Sequence, residues 1–172
     1  MFICAGESET FDFAKPMGIG MIDMAINLTR YLEKEKPAFL FFVGSAGSYG
    51  KLNIFDIVQT KTATNIENGF FNANAYTPID NMVSTAEDVS RETIVNSSNY
   101  ITTDKELSKR YLEKGISLEN MEFFAVLKVA KLFNIPVAGL FIVTNYCNEN
   151  AHRDFMDNHK EAMERLTAYI KE

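Results

Sequence analysis

With 172 residues, 47% of them apolar and 23% charged, the chain has the size and composition of one globular domain, residues 1–172, with a sizeable core. Its net charge of −6, without a basic cluster, argues against nucleic acid or an anionic membrane as a partner. Cys4 and Cys147 fit a reducing cytoplasm better than a disulfide framework. Neither a signal peptide nor a long apolar span is evident, so the sequence predicts a cytoplasmic protein.

Short apolar runs alternate with helical patterns in the first part of the chain. Residues 2–6 predict a strand that ends in a glycine turn, and residues 11–14 predict a second strand. Apolar residues recur at helical spacing between Met21 and Leu32, so we expect a helix there. Residues 39–43 are apolar without polar alternation, which predicts a strand buried on both faces of a sheet. This strand–helix–strand order favours parallel pairing.

The residues that follow this strand, Gly44-Ser45-Ala46-Gly47, predict a turn. Glycines let the backbone turn sharply and let a ligand approach the main chain closely. Open α/β sheets bind their ligands at the carboxyl ends of such strands. A plain strand-to-helix turn is an equally good interpretation of this motif alone.

The middle of the chain holds a long irregular segment, residues 65–91, which is rich in asparagine, threonine, aspartate and serine and follows strands predicted within 54–64. Loops of this length in a compact domain are usually functional or partly disordered. Phe70, Phe71 and Tyr76 lie within the segment. They predict packing over a pocket, against a neighbouring subunit or onto the domain's own core, and the sequence leaves the three alternatives open.

Strand and helix patterns alternate again in the last part of the chain. We expect strands at 93–95 and 136–144, and helices at 103–115, at 120–133 and from about 154 onward. Thr103 and Glu106 have the spacing of a capping box, with Thr103 as the N-cap. Gly115 suits the left-handed position after a helix end. The whole pattern predicts an α/β fold.

Two polar residues stand out against their apolar surroundings. Glu122 lies near the start of a mostly apolar helix, where the helix dipole stabilises a carboxylate. It is either an ordinary helix-start residue or a carboxylate that accepts hydrogen bonds from sugar hydroxyls. Asn145 follows the apolar strand at 136–144, and its amide can both donate and accept. Its alternative interpretation is an asparagine that begins a loop.

Several other kinds of site are disfavoured by residue spacing. His152 and His159 are not an i, i+4 pair and no ligand set surrounds them, so we expect no metal. A Cys147–His152 nucleophile pair lacks a clear orienting group. No phosphate-binding P-loop is present, and Gly18-Ile19-Gly20 has Asp23 where a dinucleotide fingerprint has its third glycine.

Short motifs occur in an order that resembles the superfamily of nucleoside phosphorylases and methylthioadenosine/S-adenosylhomocysteine nucleosidases. The motifs are residues 17–20, 43–47, 55–58, 120–122 and 143–145. The resemblance extends from about Phe11 to the final helix. It implies a three-layer α/β/α fold around a mixed, mostly parallel twisted sheet, cleavage of the N-glycosidic bond of a purine nucleoside, no cofactor, and a homo-oligomer.

The resemblance also implies a role for each site residue. Ser45 would lie under the ribose and the attacking phosphate or water. Met121 would pack on the sugar, and Glu122 would bind its 2′- and 3′-hydroxyls. Tyr100 would stack on the base, and Asn145 would contact N7 of the purine. The implied substrate-binding set is Gly44, Ser45, Ala46, Gly47, Tyr100, Asn120, Met121, Glu122 and Asn145.

The sequence leaves the attacking group open. In the hexameric phosphorylases of the family that this sequence resembles, an arginine that binds phosphate occupies the position of Phe42. Phosphate nevertheless remains a possible co-substrate. Glu7 or Glu9 matches the glutamate that activates water in the nucleosidases. We take Glu7, Glu122 and Asn145 as the catalytic candidates. An asparagine at position 145 resembles the trimeric phosphorylases and favours 6-oxopurines. The alternative is a non-catalytic nucleoside-binding protein that keeps the pocket.

Overall fold

The computed structural model describes residues 1–171, which fold around one mixed sheet. The strands are β1 (Phe2–Cys4), β2 (Ala14–Pro16), β3 (Leu40–Ser48), β4 (Ile57–Thr60), β5 (Thr62–Thr64), β6 (Met82–Ser84), β7 (Ile94–Ser97), β8 (Ile116–Asn120) and β9 (Val137–Tyr146). The helices are α1 (Gly20–Leu32), α2 (Asn68–Phe71), α3 (Lys105–Glu113), α4 (Phe123–Leu132) and α5 (Ala151–Lys171), with a 3₁₀ turn at Val89–Arg91.

Strand β3 lies at the centre of the sheet. It pairs in parallel with β9 along its whole length, while β1 pairs in parallel with its first half and β8 pairs antiparallel with its last residues. The pairings β1–β2, β5–β7 and β7–β8 are also parallel, whereas β4–β9 and β5–β6 are antiparallel. The sheet is therefore mixed and mostly parallel, which confirms the predicted fold class.

Alternate residues of β3 and β9 pack on opposite faces of the sheet, and this produces three layers. Phe42 and Phe141 pack with the apolar residues of α1 and α4. Val43 and Ile142 pack with α5 on the other face. These strands lack polar alternation because both of their faces are covered. Among residues 1–171, no helix is long and apolar enough to cross a membrane.

The turn predicted at residues 44–47 is wrong, because β3 continues to Ser48. The strand extends that far because both of its edges remain paired, with β9 on one side and with Glu119 and Leu118 of β8 on the other. The register with β9 shifts between Ala46 and Gly47, so the strand is irregular where it reaches the site. The glycines of this segment serve close packing, described below, rather than a turn.

Other differences concern the ends of elements. The second strand is Ala14–Pro16, later than predicted, and the long segment 65–91 contains α2, β6 and the 3₁₀ turn. Asp104, not Thr103, is the N-cap of α3, because its carboxylate accepts from the amides of residues 106 and 107. Gly115 has a φ of +78°, as its predicted place after a helix end requires.

Candidate active site

A cavity of 330 Å³ lies at the edge of the sheet where the parallel strands β1, β3 and β9 end. This volume is within the range of small-molecule sites, about 300–1,000 Å³. The predicted substrate-binding residues that line it are Ser45, Ala46, Gly47, Tyr100, Asn120, Met121, Glu122 and Asn145. Gly44 does not line the cavity. Distant parts of the chain therefore meet at the edge where open α/β sheets bind ligands.

Glu122 lines the cavity and is 4% exposed. One carboxylate oxygen accepts from the backbone amide of Gly20 at 2.8 Å, and the other accepts from Nδ2 of Asn120 at 2.6 Å. Gly20 begins α1, so the carboxylate also faces the positive end of a helix dipole. Burial raises the pKa of Glu122 to about 7, and the nearby Glu9 carboxylate adds to the shift. Each carboxylate oxygen keeps a lone pair for a ligand hydroxyl.

Asn120 holds Glu122 in place and also begins helix α4. Its Oδ1 accepts from the backbone amides of Glu122 and Phe123 at 2.8 and 2.7 Å, while its Nδ2 donates to the Glu122 carboxylate. The same Oδ1 accepts from Ser97 Oγ at 3.3 Å. The motif at residues 120–122 is therefore a strand end that turns directly into a helix, with the asparagine satisfying the first free amides.

The structure places Glu9, and not Glu7, in the cavity. Glu7 is exposed with a φ of +53°, in a tight turn closed by the hydrogen bond from the Glu9 amide to the Gly6 carbonyl. This turn directs Glu9 back to Ser45, whose hydroxyl and backbone amide both donate to its carboxylate, the amide at 3.3 Å. Burial raises the pKa of Glu9, and the hydrogen bonds from Ser45 oppose that effect. The choice of Glu7 as a catalytic candidate is corrected to Glu9 on this geometry.

Asn145 presents an amide N–H to the cavity. Its Oδ1 accepts from the hydroxyl of Thr144 at 2.9 Å, and its Nδ2, which lies beside Gly47, donates one N–H to the Tyr146 carbonyl at 3.3 Å and keeps the other for a ligand. A Cβ atom on Gly47 would lie 3.0 Å from that Nδ2 and 2.8 Å from Sγ of Cys147. Gly47 therefore provides the space in which the Asn145 side chain reaches the cavity.

The cavity has an acidic lining. Its carboxylates come from Glu9, Glu119 and Glu122, and no lysine or arginine of the described chain lines it. His152 is the one histidine in this lining within residues 1–171. Such a lining favours ligands with hydroxyl and N–H donors or a developing positive charge, and disfavours anions.

Phe42 belongs to the core and not to the cavity. It is 0% exposed, and its ring lies 5.6 Å from that of Phe141 and 5.9 Å from that of Phe123. Position 42 therefore provides no phosphate-binding cation and belongs instead to an aromatic cluster.

The mouth of the cavity is apolar and open. Tyr100 is 84% exposed there, beside Ile19 and Ile101. Of the aromatic residues in the segment 65–91, Phe71 packs edge-on against Tyr111, 4.7 Å between ring centroids, whereas Tyr76 is 92% exposed.

Several lining residues were not singled out from the sequence, among them Ser8, Glu119 and Phe155, and His152 was considered only as a metal ligand or a partner of Cys147. Glu119 is the most notable, because it is a carboxylate 6% exposed inside a strand. The sequence contained an indication of this role, because a charged residue within a short buried strand needs hydrogen-bonding partners from elsewhere in the chain.

Comparison with known proteins identifies the family of the chain. The family model of the phosphorylase superfamily matches residues 3–172, and the chain belongs to that superfamily. The resemblance found in the motifs is thereby confirmed.

Solved structures of nucleosidases share the fold at low sequence identity. The 5′-methylthioadenosine/S-adenosylhomocysteine nucleosidase of Helicobacter pylori has a TM-score of 0.81 at 14% identity, over 99% of this chain and 94% of that chain. The futalosine hydrolase of the same species has a TM-score of 0.81 at 16% identity, over 99% and 94%. A putative nucleosidase from Francisella philomiragia has a TM-score of 0.80 at 14% identity, over 99% and 95%.

Proposed function

We propose that this protein hydrolyses the N-glycosidic bond of a purine nucleoside. The observation that carries the proposal is the convergence of Glu9, Glu122 and Asn145 in one cavity without a lysine or arginine in its described lining. A nucleoside needs an acceptor for its ribose hydroxyls, a group that activates water and a donor for its leaving base, and these residues supply one each. The relatives named above as nucleosidases and hydrolases support this class of reaction.

Glu122 is proposed to bind the ribose. Its carboxylate accepts hydrogen bonds from the 2′- and 3′-hydroxyls, in addition to those from Gly20 and Asn120. Cleavage of the glycosidic bond develops positive charge on the sugar, so the buried carboxylate binds the transition state more strongly than the ground state. This interaction requires the ionised form of Glu122.

Glu9 is proposed as the base that activates water. The water oxygen forms the new bond to C1′, its proton passes to the Glu9 carboxylate, and the electron pair of the glycosidic bond leaves with the purine. A raised pKa makes the ionised carboxylate of Glu9 a stronger base than that of an exposed glutamate. The hydroxyl and amide of Ser45 fix the position of its carboxylate.

Asn145 is proposed to assist the departure of the base. Its Nδ2 donates a hydrogen bond to N7, where negative charge increases as the bond breaks. An amide stabilises that charge without transferring a proton. Asn145 by itself suggests a preference for 6-oxopurines.

Hydrolysis is favoured over phosphorolysis because a phosphate anion would enter a cavity with three carboxylates. The test is release of free base from a panel of nucleosides, with and without inorganic phosphate. We expect the same rate of release in both. Release that requires phosphate would contradict hydrolysis, and tight nucleoside binding without any release would identify a non-catalytic binder.

We also propose a homo-oligomer in which a second copy covers the mouth of the cavity. Ile22 and Ile26 are 67% and 52% exposed and form, with Ile19, one face of α1 that continues onto the lining. Tyr100 and Ile101 adjoin it, because Asn99 accepts from the amide of residue 21 at the start of α1. A base stacked on a ring as exposed as Tyr100 stays in contact with water unless another surface covers it.

A further inference from the structure

Glu119 and Asn145 lie on either side of Gly47 in three neighbouring strands. Gly47 pairs with Glu119 of β8 in the antiparallel register and with Asn145 of β9 in the parallel register. Residues paired directly across a sheet project on the same face, so both side chains stand over the glycine, and both line the cavity. Because Gly47 has no side chain, nothing of that strand separates them.

The carboxylate of Glu119 is held by donors on its inner side. It accepts from the backbone amide of Thr102 at 2.8 Å, from the hydroxyl of the same residue at 2.5 Å and from the Tyr49 hydroxyl at 2.8 Å. Burial raises its pKa, and these hydrogen bonds oppose the shift by favouring the ionised form. These donors hold the carboxyl group of Glu119 in a fixed orientation.

One oxygen of Glu119 keeps acceptor capacity for a ligand. Oε1 accepts from the Thr102 amide, and its other neighbour is Sγ of Cys147 at 3.9 Å, a weak donor at a long distance. An N–H group of a ligand would be a stronger partner for this oxygen than the thiol. The wall over Gly47 therefore offers one donor, Nδ2 of Asn145, and one free acceptor, Oε1 of Glu119.

We propose that Glu119 is a specificity residue that selects purines with an N–H donor on the six-membered ring, an inference that rests on the proposed function. While Asn145 donates to the ring nitrogen N7, Glu119 accepts from the exocyclic amino group of a 6-aminopurine or from N1–H of a 6-oxopurine. A purine without a 6-substituent has neither donor and leaves the buried carboxylate unpaired. Sites of this kind reject analogues that lack the hydrogen-bonding group.

The test compares three free bases, adenine, hypoxanthine and unsubstituted purine, by calorimetric titration against the wild-type protein and the Glu119→Gln variant. The wild type is expected to bind adenine or hypoxanthine at least roughly 10-fold more tightly than purine, because purine leaves the buried Oε1 of Glu119 without a ligand donor. In the Glu119→Gln variant, the ratio of affinities for these bases over purine is expected to be mostly lost. If adenine loses more affinity than hypoxanthine, the ligand donor is the 6-amino group; if hypoxanthine loses more, the donor is N1–H. Glu149→Gln, an exposed carboxylate outside the cavity, is the control for the loss of charge.

Two results would overturn the inference. Equal binding of the three bases by the wild type does so without any variant, and equal weakening of all three by Glu119→Gln shows a merely structural role. The nucleoside panel tests the proposed function separately. Selective base binding without release from any nucleoside contradicts hydrolysis and supports the role of Glu119, whereas release without base selectivity does the reverse.

Discussion

Gly44 leaves the space that the carboxylate of Glu9 occupies, because a Cβ atom at position 44 would lie 2.8 Å from Oε2 of Glu9. The loop after β1 can therefore place Glu9 directly against the central strand β3 at the site. The glycine is needed for close approach and not for its backbone conformation, since it is paired in a regular strand. The substitution Gly44→Ala is therefore expected to displace the carboxylate of Glu9, the proposed water-activating group.

The first prediction separates the two glutamates of the loop after β1. Glu9→Gln is expected to lower kcat by roughly 10²–10⁴-fold, the usual contribution of a general base, because an amide cannot take the proton of water. Glu7→Gln is expected to keep wild-type kcat, since Glu7 is exposed and lies outside the cavity. Steady-state hydrolysis of the best nucleoside substrate by both variants is the measurement.

A larger loss in Glu7→Gln than in Glu9→Gln would contradict the assignment. Gly44→Ala provides a second comparison at the same place. We expect it to lower kcat while leaving base binding intact, because the added methyl group displaces Glu9 and not the purine site.

The second prediction concerns pH. The pKa of Glu122 is raised to about 7 from its ordinary value of 4.5, so the carboxylate that binds the ribose ionises across the neutral range. We expect kcat/KM to rise between pH 6 and pH 8 as Glu122 ionises, with a midpoint at or above the pKa of about 7, because Glu9 must also be ionised to act as the base. The measurement is a pH profile of kcat/KM in buffers of constant ionic strength, and a profile that falls over this interval would contradict the role of ionised Glu122.

Folding stability is expected to change with pH in the opposite direction. Between 4.5 and about 7, the folded state holds a proton on Glu122 that the unfolded state has released. The stabilisation from this group is therefore complete at acidic pH and is lost as the pH rises to about 7. Thermal unfolding of Glu122→Gln should show a flatter dependence on pH than the wild type, and an equal slope in both proteins would exclude Glu122 as the source.

How far the sequence alone could lead is clearest at β3. Its apolar residues predict a strand with both faces covered, and the structure has that strand. The extension through residues 44–48 was not predictable, because it depends on pairing with β8 and β9, which are distant in sequence. Local rules interpret a glycine-rich stretch as a turn, and they have no access to a partner strand that approaches closely.

The same limit applies to the site. The sequence motifs predicted Ser45, Glu122 and Asn145, and the structure brings these residues together. The choice between Glu7 and Glu9 required the turn at Gly6, and Glu119 became visible only once Gly47 was seen to lie beside it. Short-range patterns identify residues at element ends well, whereas a carboxylate in the middle of a strand gains its meaning from the strands next to it.

The third prediction tests the apolar mouth of the cavity. Ile22→Glu is expected to lower the oligomeric state, because it places a charge in the exposed apolar face of α1, and to raise KM as the cover over Tyr100 is lost. Light scattering after size-exclusion chromatography measures the mass, and steady-state kinetics measure KM.

Leu132→Glu is the matched control, since Leu132 is 75% exposed on α4 and does not line the cavity. A wild-type protein that is monomeric at micromolar concentration would contradict the proposed cover. So would an oligomer that Leu132→Glu dissociates and Ile22→Glu leaves intact.

The fourth prediction concerns the amide of Asn145. Asn145→Ala is expected to lower kcat by roughly 10–100-fold with a smaller effect on KM, because the hydrogen bond to N7 strengthens as the base leaves. Asn145→Asp replaces the amide donor with a group that donates only when it is protonated. In a cavity that already contains three carboxylates, repulsion and burial should raise the pKa of the new acid.

The aspartate variant should therefore add a descending limb to the pH profile. Below the pKa of the new acid, its proton is available to the purine, and the rate rises with the ionisation of Glu122 as in the wild type. Above it, a fourth carboxylate faces the departing base and the rate falls. A bell-shaped profile for Asn145→Asp, beside a single rising limb for the wild type, would place position 145 at the leaving group. Identical profile shapes would show that this residue does not contact the atom on which charge develops.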